Sequence, residues 1–352
     1  MTSPLRPAPV LITGGAGFIG TNLAERLLRR ARHVRIYDNL SRSGAVENLN
    51  WLRARYGALF EFHHADIRST EGIRAALAEV ETVFHLAAQV AVTTSLADPC
   101  EDFEVNALGT LNLLEAIRDQ RRSIGLIFTS TNKVYGGLDD LALVPAGTRY
   151  RPLRARAGID ETWPLSFRSP YGCSKGAADQ YVIDYAHSYG CAAVVFRMSC
   201  IYGPHQHGTE DQGWVAHFLI RANEGLPITV FGDGRQVRDL LHVEDLTEAF
   251  LSAEKYLPDI AGEAFNLGGG AANALSLREL IDYIGLLNRF RPEIAYNDWR
   301  TGDQRWYVSD FGKFTAATGW RPRIGWKQGV RDLHAWLSPG LAGAAVAGVA
   351  AQ

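Results

Sequence analysis

The chain has few cysteines, almost no excess of either charge and no long apolar run. Only 4 of its 352 residues are cysteine, Cys100, Cys173, Cys191 and Cys200. They have neither metal-ligand spacing nor the density of a secreted disulfide scaffold, so a reducing, cytoplasmic setting is expected and no metal is read. Basic side chains number 36 against 38 acidic ones, a formal charge of -2. That balance gives no general electrostatic footprint for nucleic acid or an anionic membrane. Val10 to Ile12 passes straight into glycines, without the charged start and cleavage pattern of a secretory leader. The Ala- and Gly-rich end is shorter than the about 20 residues of a membrane span. Residues 338–352 read as a flexible tail.

What is present is an ordinary globular composition, 47% hydrophobic and 21% charged, long enough for about two domains. Short apolar runs, Pro9 to Thr13, Val34 to Tyr37, Phe60 to His63, Thr82 to Leu86 and Ile124 to Thr129, read as buried strands. Between them, Asn22 to Arg30, Ile73 to Glu79 and Leu108 to Arg118 repeat apolar residues at three and four, the helical spacing. This alternation predicts an α/β fold: a Rossmann-type doubly wound parallel sheet with a smaller, interleaved C-terminal substrate domain. Residues 1–200 are assigned to the sheet domain, with 238–270 returning to it. Residues 201–237 and 271–337 are assigned to the second domain.

Gly14, Gly17 and Gly20 lie between a predicted strand and a predicted helix. In that context the first allows a tight turn, the second lets backbone N–H groups approach a pyrophosphate, and the third permits close helix packing. Asp38 ends the next strand, about 20 residues on, where a carboxylate accepts hydrogen bonds from an adenosine ribose and repels a 2′-phosphate. NAD is therefore the expected cofactor, with Arg42 the one nearby feature that would suit a phosphate. Phe18 and Ile19 open the helix, and Asn39, Ser41 and Arg42 follow Asp38. Asp66, Ile67, Leu86, Ala87, Ala88 and Gln89 lie at or just beyond strand C-termini, the edge where such sheets bind ligands. Asp66 serves equally well as a helix cap for Ser69 onward.

Tyr171 and Lys175 stand four residues apart, on one face of a predicted helix. A free phenol titrates near about 10, so a phenolate at neutral pH needs a shift of about 3 units. One cation about 4 Å away, at an effective dielectric of about 20, contributes that much. Lys175, helped by an oxidised nicotinamide, is thus expected to make Tyr171 a general base. Thr131 and Ser130, at the carboxyl end of a central strand, add hydroxyls, although a strand-end hydrogen bond serves Ser130 as well.

In this order, the glycines, Asp38, Asp66, Asn106, Thr131 and the Tyr171/Lys175 pair resemble the extended short-chain dehydrogenase/reductase family, the nucleotide-sugar epimerases and dehydratases. The resemblance reaches to about Trp336. It adds Asn106 and Ser130 to the cofactor site and implies a homodimer or homotetramer. The segments Ser130 to Gly136, Ser169 to Tyr181 and Asp211 to Val215 are most similar to epimerases that act at C2 of a CDP-linked 3,6-dideoxyhexose. The family's 4,6-dehydratases carry an Asp-Glu pair directly after the Thr, as acid and base for eliminating water. Here those positions are Asn132 and Lys133.

The resemblance makes a nucleotide-diphosphate sugar the expected partner, with CDP favoured. Arg238, Arg300 and Arg305 are expected on its diphosphate, where a guanidinium fork suits the oxygens. Thr93, Thr94 and Ser95 are expected to line the sugar pocket with Thr131 and Asn132, or else to cap a helix. Gln212 and Trp214 are expected to anchor the nucleotide, whereas Phe231 reads as core. His205 and His207 read as a substrate-side loop. Another base or another carbon remains open. A non-catalytic NAD-binding protein has no need of a chemically intact Tyr171, Lys175 and Thr131.

Overall fold

A computed structural model describes residues 8–338 apart from 121 and 301, so the expected tail beyond Ser338 lies outside the described residues. The first strands are β1 (Val10–Thr13), β2 (Val34–Asp38), β3 (Phe60–His64), β4 (Thr82–His85) and β5 (Gly125–Thr131). A hairpin, β6 (Leu143–Ala146) and β7 (Arg149–Pro152), precedes β8 (Ala193–Met198). Then come β9 (Cys200–Tyr202), β10 (Ile228–Phe231), β11 (Val237–His242), β12 (Ala264–Leu267), β13 (Ala274–Ser276), β14 (Ile294–Asn297) and β15 (Trp306–Tyr307).

Seven of these form a parallel sheet in the order β12-β8-β5-β4-β1-β2-β3. The order in which strands are added reverses at β1, the chain going first to β2 and β3 and then across to β4, which opens a crevice at the carboxyl ends of β1 and β4. The register sets Thr13 beside both Tyr37 and His85, and Thr131 beside Met198, so the expected site residues share one edge.

Alternation along each strand feeds two cores. Ile12, Phe84, Ile127 and Phe196 point to one face, covered by α1 (Phe18–Arg29) and α2 (Ala45–Tyr56). Leu11, Val83, Leu126 and Phe128 point to the other, under α3 (Thr70–Ala76). Beyond it lie the short α4 (Val92–Ala97) and α5 (Pro99–Phe103), then α6 (Gly109–Arg118) and the long α7 (Ser169–Tyr189), which supply Leu113 and Val182 to that core. The second unit is built on α8 (Trp214–Asn223). The chain returns to the first face through α9 (Val243–Ile260), whose Phe250 is fully buried. Later come α10 (Leu277–Asn288), α11 (Gly312–Thr318) and α12 (Trp326–Leu337). α8, α10 and α12 enclose the second unit's own core around Tyr202, Leu240 and Leu275.

The two units interleave more deeply than the expected boundaries. Phe314 on α11 and Trp320, placed in the second unit from sequence, pack into the first core, with Phe314 edge-on to Phe196. The β6–β7 hairpin, placed in the first, is tied to the second by an Arg149–Glu279 ion pair and a Tyr150–Asp233 hydrogen bond of 2.8 Å. Among the described residues no helix is long and apolar enough to cross a membrane.

Candidate active site

The glycine loop enters α1 without a capping side chain at Gly17 and without an acid in the first turn. The unpaired N–H groups and partial positive charge of that helix end therefore face an open space. Gly14 has φ +68, and a Cβ there would lie 2.7 Å from the Ala87 backbone nitrogen; a Cβ on Gly20 would lie 2.3 Å from the Gly14 carbonyl oxygen. The loop is thus packed against β4 and folded on itself, which only glycine allows. Asp38 accepts hydrogen bonds from the backbone N–H groups of Ala16 at 3.0 Å and Leu40 at 2.8 Å, so it braces the loop as well as facing the crevice.

Here lies a cavity of about 540 Å³ lined by Gly14, Gly17, Phe18, Ile19, Asp38, Asn39, Ser41 and Arg42. Its far wall carries Asp66, Ile67 and Leu86 to Gln89, and its inner end Ser130, Tyr171 and Lys175. A second cavity of about 460 Å³ continues from Ser130 and Tyr171 past Thr93, Thr131, Asn132 and Lys133 to Gln212, Trp214, Arg238 and Arg300. Ser130 Oγ and Thr93 Oγ1 are buried with no hydrogen-bond partner. Unpaired buried hydroxyls are costly, so these two mark places where a ligand supplies the missing partner. An uncapped helix end, a carboxylate at the β2 terminus and an orphan hydroxyl at the inner end together fit a dinucleotide.

α7 buries Tyr171, Lys175 and Asp179, spaced by four, on one stripe against β5 and β8. The Tyr171 backbone N–H, one of the helix's unpaired first-turn donors, is satisfied by Ser95 Oγ at 3.2 Å. Lys175 is 3% exposed, with its ammonium 4.3 Å from the centre of the Phe128 ring. Burial pushes the Tyr171 phenol up to about 12, with Asp102 adding to the rise and Thr131 and Arg42 opposing it. Burial draws Lys175 down to about 7 against the pull of Asp179 and Asp102. Lys175 alone therefore does not ionise the phenol, and the expected general base needs the charge of the oxidised nicotinamide as well. Desolvation disfavours phenolate and ammonium alike, and on the phenol it outweighs the opposing pull of Thr131 and Arg42. In the chain itself Tyr171 is a protonated phenol at neutral pH.

Of the carboxylates on the second cavity, Asp303 is bonded to a guanidinium, whereas Glu210 and Asp211 lie at the exposed rim and share one. Asp303 takes Arg238 at 2.6 Å and Lys133 at 3.8 Å, and Arg300 stands 3.7 Å from both Glu210 and Asp211. The Arg300 guanidinium also lies 3.7 Å from the centre of the Phe231 ring.

Four expected site residues stand elsewhere. Asn106 lines neither cavity; it is buried, exchanging hydrogen bonds with the Gln89 backbone and donating to Asp102 and Ser174. Ser95 is buried beneath the sugar pocket, donating to the Val92 carbonyl and capping α7. Arg305 is exposed, against Tyr150 and Trp299, because the turn at Gly302 sends it away from Arg300. Thr94 borders the dinucleotide cavity instead of the sugar pocket. The Asp66 carboxylate holds the Arg68 side chain and N–H, and the α3 cap is Ser69 itself. His205 and His207 border the first cavity, where His205 packs on Trp51.

Phe231, Lys133 and Asp303 join the site without having been picked out for it. An aromatic in a strand reads as core, and a lone Lys or Asp reads as surface. The one available signal was the position of Lys133, two residues beyond Thr131.

A doubly wound sheet with a dinucleotide crevice opening onto a Tyr-Lys-Thr cluster defines an enzyme of the extended short-chain dehydrogenase/reductase class. The chain belongs to the NAD dependent epimerase/dehydratase family, which it matches over residues 10–268, and its cofactor is NAD. It is 45% identical over 340 residues to the CDP-paratose 2-epimerase of Salmonella typhi, covering 94% of this chain and 99% of that one. A putative UDP-glucose 4-epimerase of Methanocaldococcus jannaschii is 32% identical, covering 93% and 98%. Among solved structures, the UDP-glucose 4-epimerase of Thermus thermophilus in complex with NAD superposes with a TM-score of 0.79 at 36% identity, covering 94% and 98%.

Proposed function

We propose that this chain is an epimerase that inverts C2 of a CDP-linked 3,6-dideoxyhexose through a transient 2-keto sugar. The observation that carries the reading is the composition of the second cavity. Tyr171 and the Thr131 hydroxyl face it, Asn132 and Lys133 stand where the dehydratases carry an acid and a base, and Asp303, the carboxylate nearest Lys133, is bonded to Arg238. Such a pocket can move a proton at one sugar hydroxyl but has no second acid-base pair to expel water. The 45% relative, a 2-epimerase of a CDP-sugar, supports the choice of base and carbon.

The glycine loop, Asp38 and Ser130 would hold NAD, which supplies the hydride acceptor and donor for the sugar carbon and, when oxidised, a positive charge. Tyr171 takes the proton of the C2 hydroxyl and returns it once the ketone has presented its other face. Thr131 lends a hydrogen bond to the phenol, the one neighbour on β5 that favours its ionised form. Lys175 orients the phenol and stabilises its anion. Arg238 and Arg300 grip the diphosphate, leaving the sugar to turn at the inner end.

The test is a panel of CDP-, UDP- and GDP-sugars in heavy water, read by NMR. Inversion at C2 of the CDP-dideoxyhexose, with no deuterium at that carbon, is expected. Turnover of a UDP-sugar at C4 alone would reassign the substrate, and solvent deuterium at the inverted carbon would replace hydride return with carbanion chemistry.

A further inference from the structure

Asp102, on α5, is 0% exposed, and its carboxylate meets only neutral donors. Oδ1 accepts from Gln89 Nε2 at 3.0 Å and Asn106 Nδ2 at 3.1 Å, and Oδ2 accepts from Ser174 Oγ at 2.5 Å. A buried carboxylate without a cation is expensive unless something nearby compensates its charge. The cation that acts on Asp102 is the Lys175 ammonium, one residue beyond Ser174, which among the described residues has no salt bridge of its own.

The groups facing Lys175 from each packed element can be weighed in turn. On its own helix, Asp179 favours the ammonium most, although Arg197 grips both its oxygens at 2.9 Å. At the end of β4, His85 is held between Thr13 and Thr110 and drawn down to about 3 by burial, so it is neutral. Tyr171 is a protonated phenol, and Arg42 acts on it from the cofactor side. Asp102 stands apart as the one carboxylate acting on Lys175 that has no cation of its own, although Asp179 pulls harder on the ammonium and burial raises the Asp102 carboxyl above its ordinary range.

A one-turn π-helix, Glu104–Leu108, follows α5 directly and carries Asn106 into the same network. Such bulges re-aim a side chain at a functional site at some cost in helix regularity. Here the bulge lets Asn106 join Asp102, the Gln89 backbone and Ser174.

We infer that Asp102 is a positioning residue of the reaction: it is a buried counter-charge to Lys175 that adds to the pull of Asp179, and through Ser174 it pegs the catalytic turn of α7. The inference deepens the epimerase reading and rests on it for the role of Lys175. Its charge bears on both reacting groups in the same sense. Neutralising Asp102 lets Lys175 lose its proton at lower pH and lets Tyr171 ionise at lower pH.

The experiment is Asp102→Asn, an isostere whose Oδ1 keeps the two amide donors and whose Nδ2 donates to Ser174 Oγ. A charge about 10 Å away at an effective dielectric of about 20 moves a pKa by about one unit. The titration midpoint of the Lys175 ¹³Cε resonance, assigned by its loss in Lys175→Met, is expected to fall by about one pH unit. Both limbs of the holoenzyme's pH–rate profile are expected to move the same way. Ser174→Ala, which loses the tether and keeps the charge, is expected to leave the lysine midpoint in place. If Asp102→Asn does not fold, Asp102→Ser, smaller and equally uncharged, carries the same expectation. An unmoved lysine midpoint in a folded variant, however slow the enzyme, overturns the inference and leaves Asp102 a structural bond. The lysine titration needs no sugar, so it is decided independently of the substrate assignment.

Discussion

Lys175 is held inside the protein at a measurable cost, and Lys175→Met exposes that cost. Burial draws the ammonium from its ordinary 10.5 down to about 7. At about 1.36 kcal/mol per unit, a charged Lys175 destabilises the fold by up to about 5 kcal/mol. The Phe128 face returns about 1–2 kcal/mol of that, leaving about 3 kcal/mol. The sign follows from proton counting. Between pH 7 and 10.5 the unfolded chain binds a proton at this lysine that the folded chain has shed, so the wild type gains stability as pH rises through that window. Methionine fills nearly the same volume without a charge to desolvate. The variant is therefore expected to be more stable than the wild type by about 3 kcal/mol at pH 6.5, with the difference fading toward pH 10.5, while turnover is lost. Urea unfolding of both proteins at half-unit steps from pH 6 to 10.5 reads this directly. A stability difference that is flat across the range, or a variant less stable at pH 6.5, would refute the claim that Lys175 is desolvated.

Other sites yield expectations of the same kind. Tyr171→Phe is expected to bind NAD as the wild type does and to lose about 10²–10⁴ in kcat, the usual contribution of a positioned acid-base group; equal losses of NAD affinity and kcat, measured by cofactor fluorescence and turnover, would count against it. Arg197→Met leaves Asp179 buried without its bidentate partner and is expected to cost about 3–5 kcal/mol in chemical denaturation. Lys133→Met removes a part-buried cation that shares Asp303 with Arg238, so KM for the nucleotide sugar is expected to rise several-fold with kcat nearly unchanged. A fall in kcat alone would place Lys133 at the reacting carbon instead.

The parts of this molecule legible in the sequence are those whose chemistry is local. The glycine loop, Asp38 at a strand end and the Tyr171/Lys175 spacing each occupy one short segment whose backbone the pattern of apolar residues dictates. Ser95 and Asn106 lie in equally suggestive segments, but their partners come from α7 and from the Gln89 loop, and no spacing shows that a hydroxyl will cap a helix 76 residues away. Arg300 and Arg305 look equivalent as letters. The positive φ of Gly302 between them turns one toward Phe231 and the other toward Trp299. The least legible part was energy and not placement. A pairwise Coulomb estimate for Tyr171 and Lys175 is sound for the pair in a polar medium, and omits the common cost of taking both groups out of water.

That cost also bears on how the dinucleotide crevice is walled. An enzyme that oxidises and re-reduces one carbon gains nothing by exchanging its cofactor between the two halves, and a reactive ketone is best kept from bulk water. The chain meets both needs with a single segment. Asn22 on α1 donates to the Pro204 carbonyl at 2.9 Å, Asn48 on α2 donates to the His205 carbonyl at 3.2 Å, and Arg42 donates to Gln212 at 2.8 Å. These three contacts draw residues 204–212 of the second unit across the first cavity, where Gln206, Asp211 and Gln212 border both cavities at once. Walling the crevice therefore uses the same loop that shapes the sugar pocket. The burial that raises Tyr171 and lowers Lys175 comes from the packing of α7 on the sheet beneath, and Asp102 offsets it for the lysine while adding to it for the phenol.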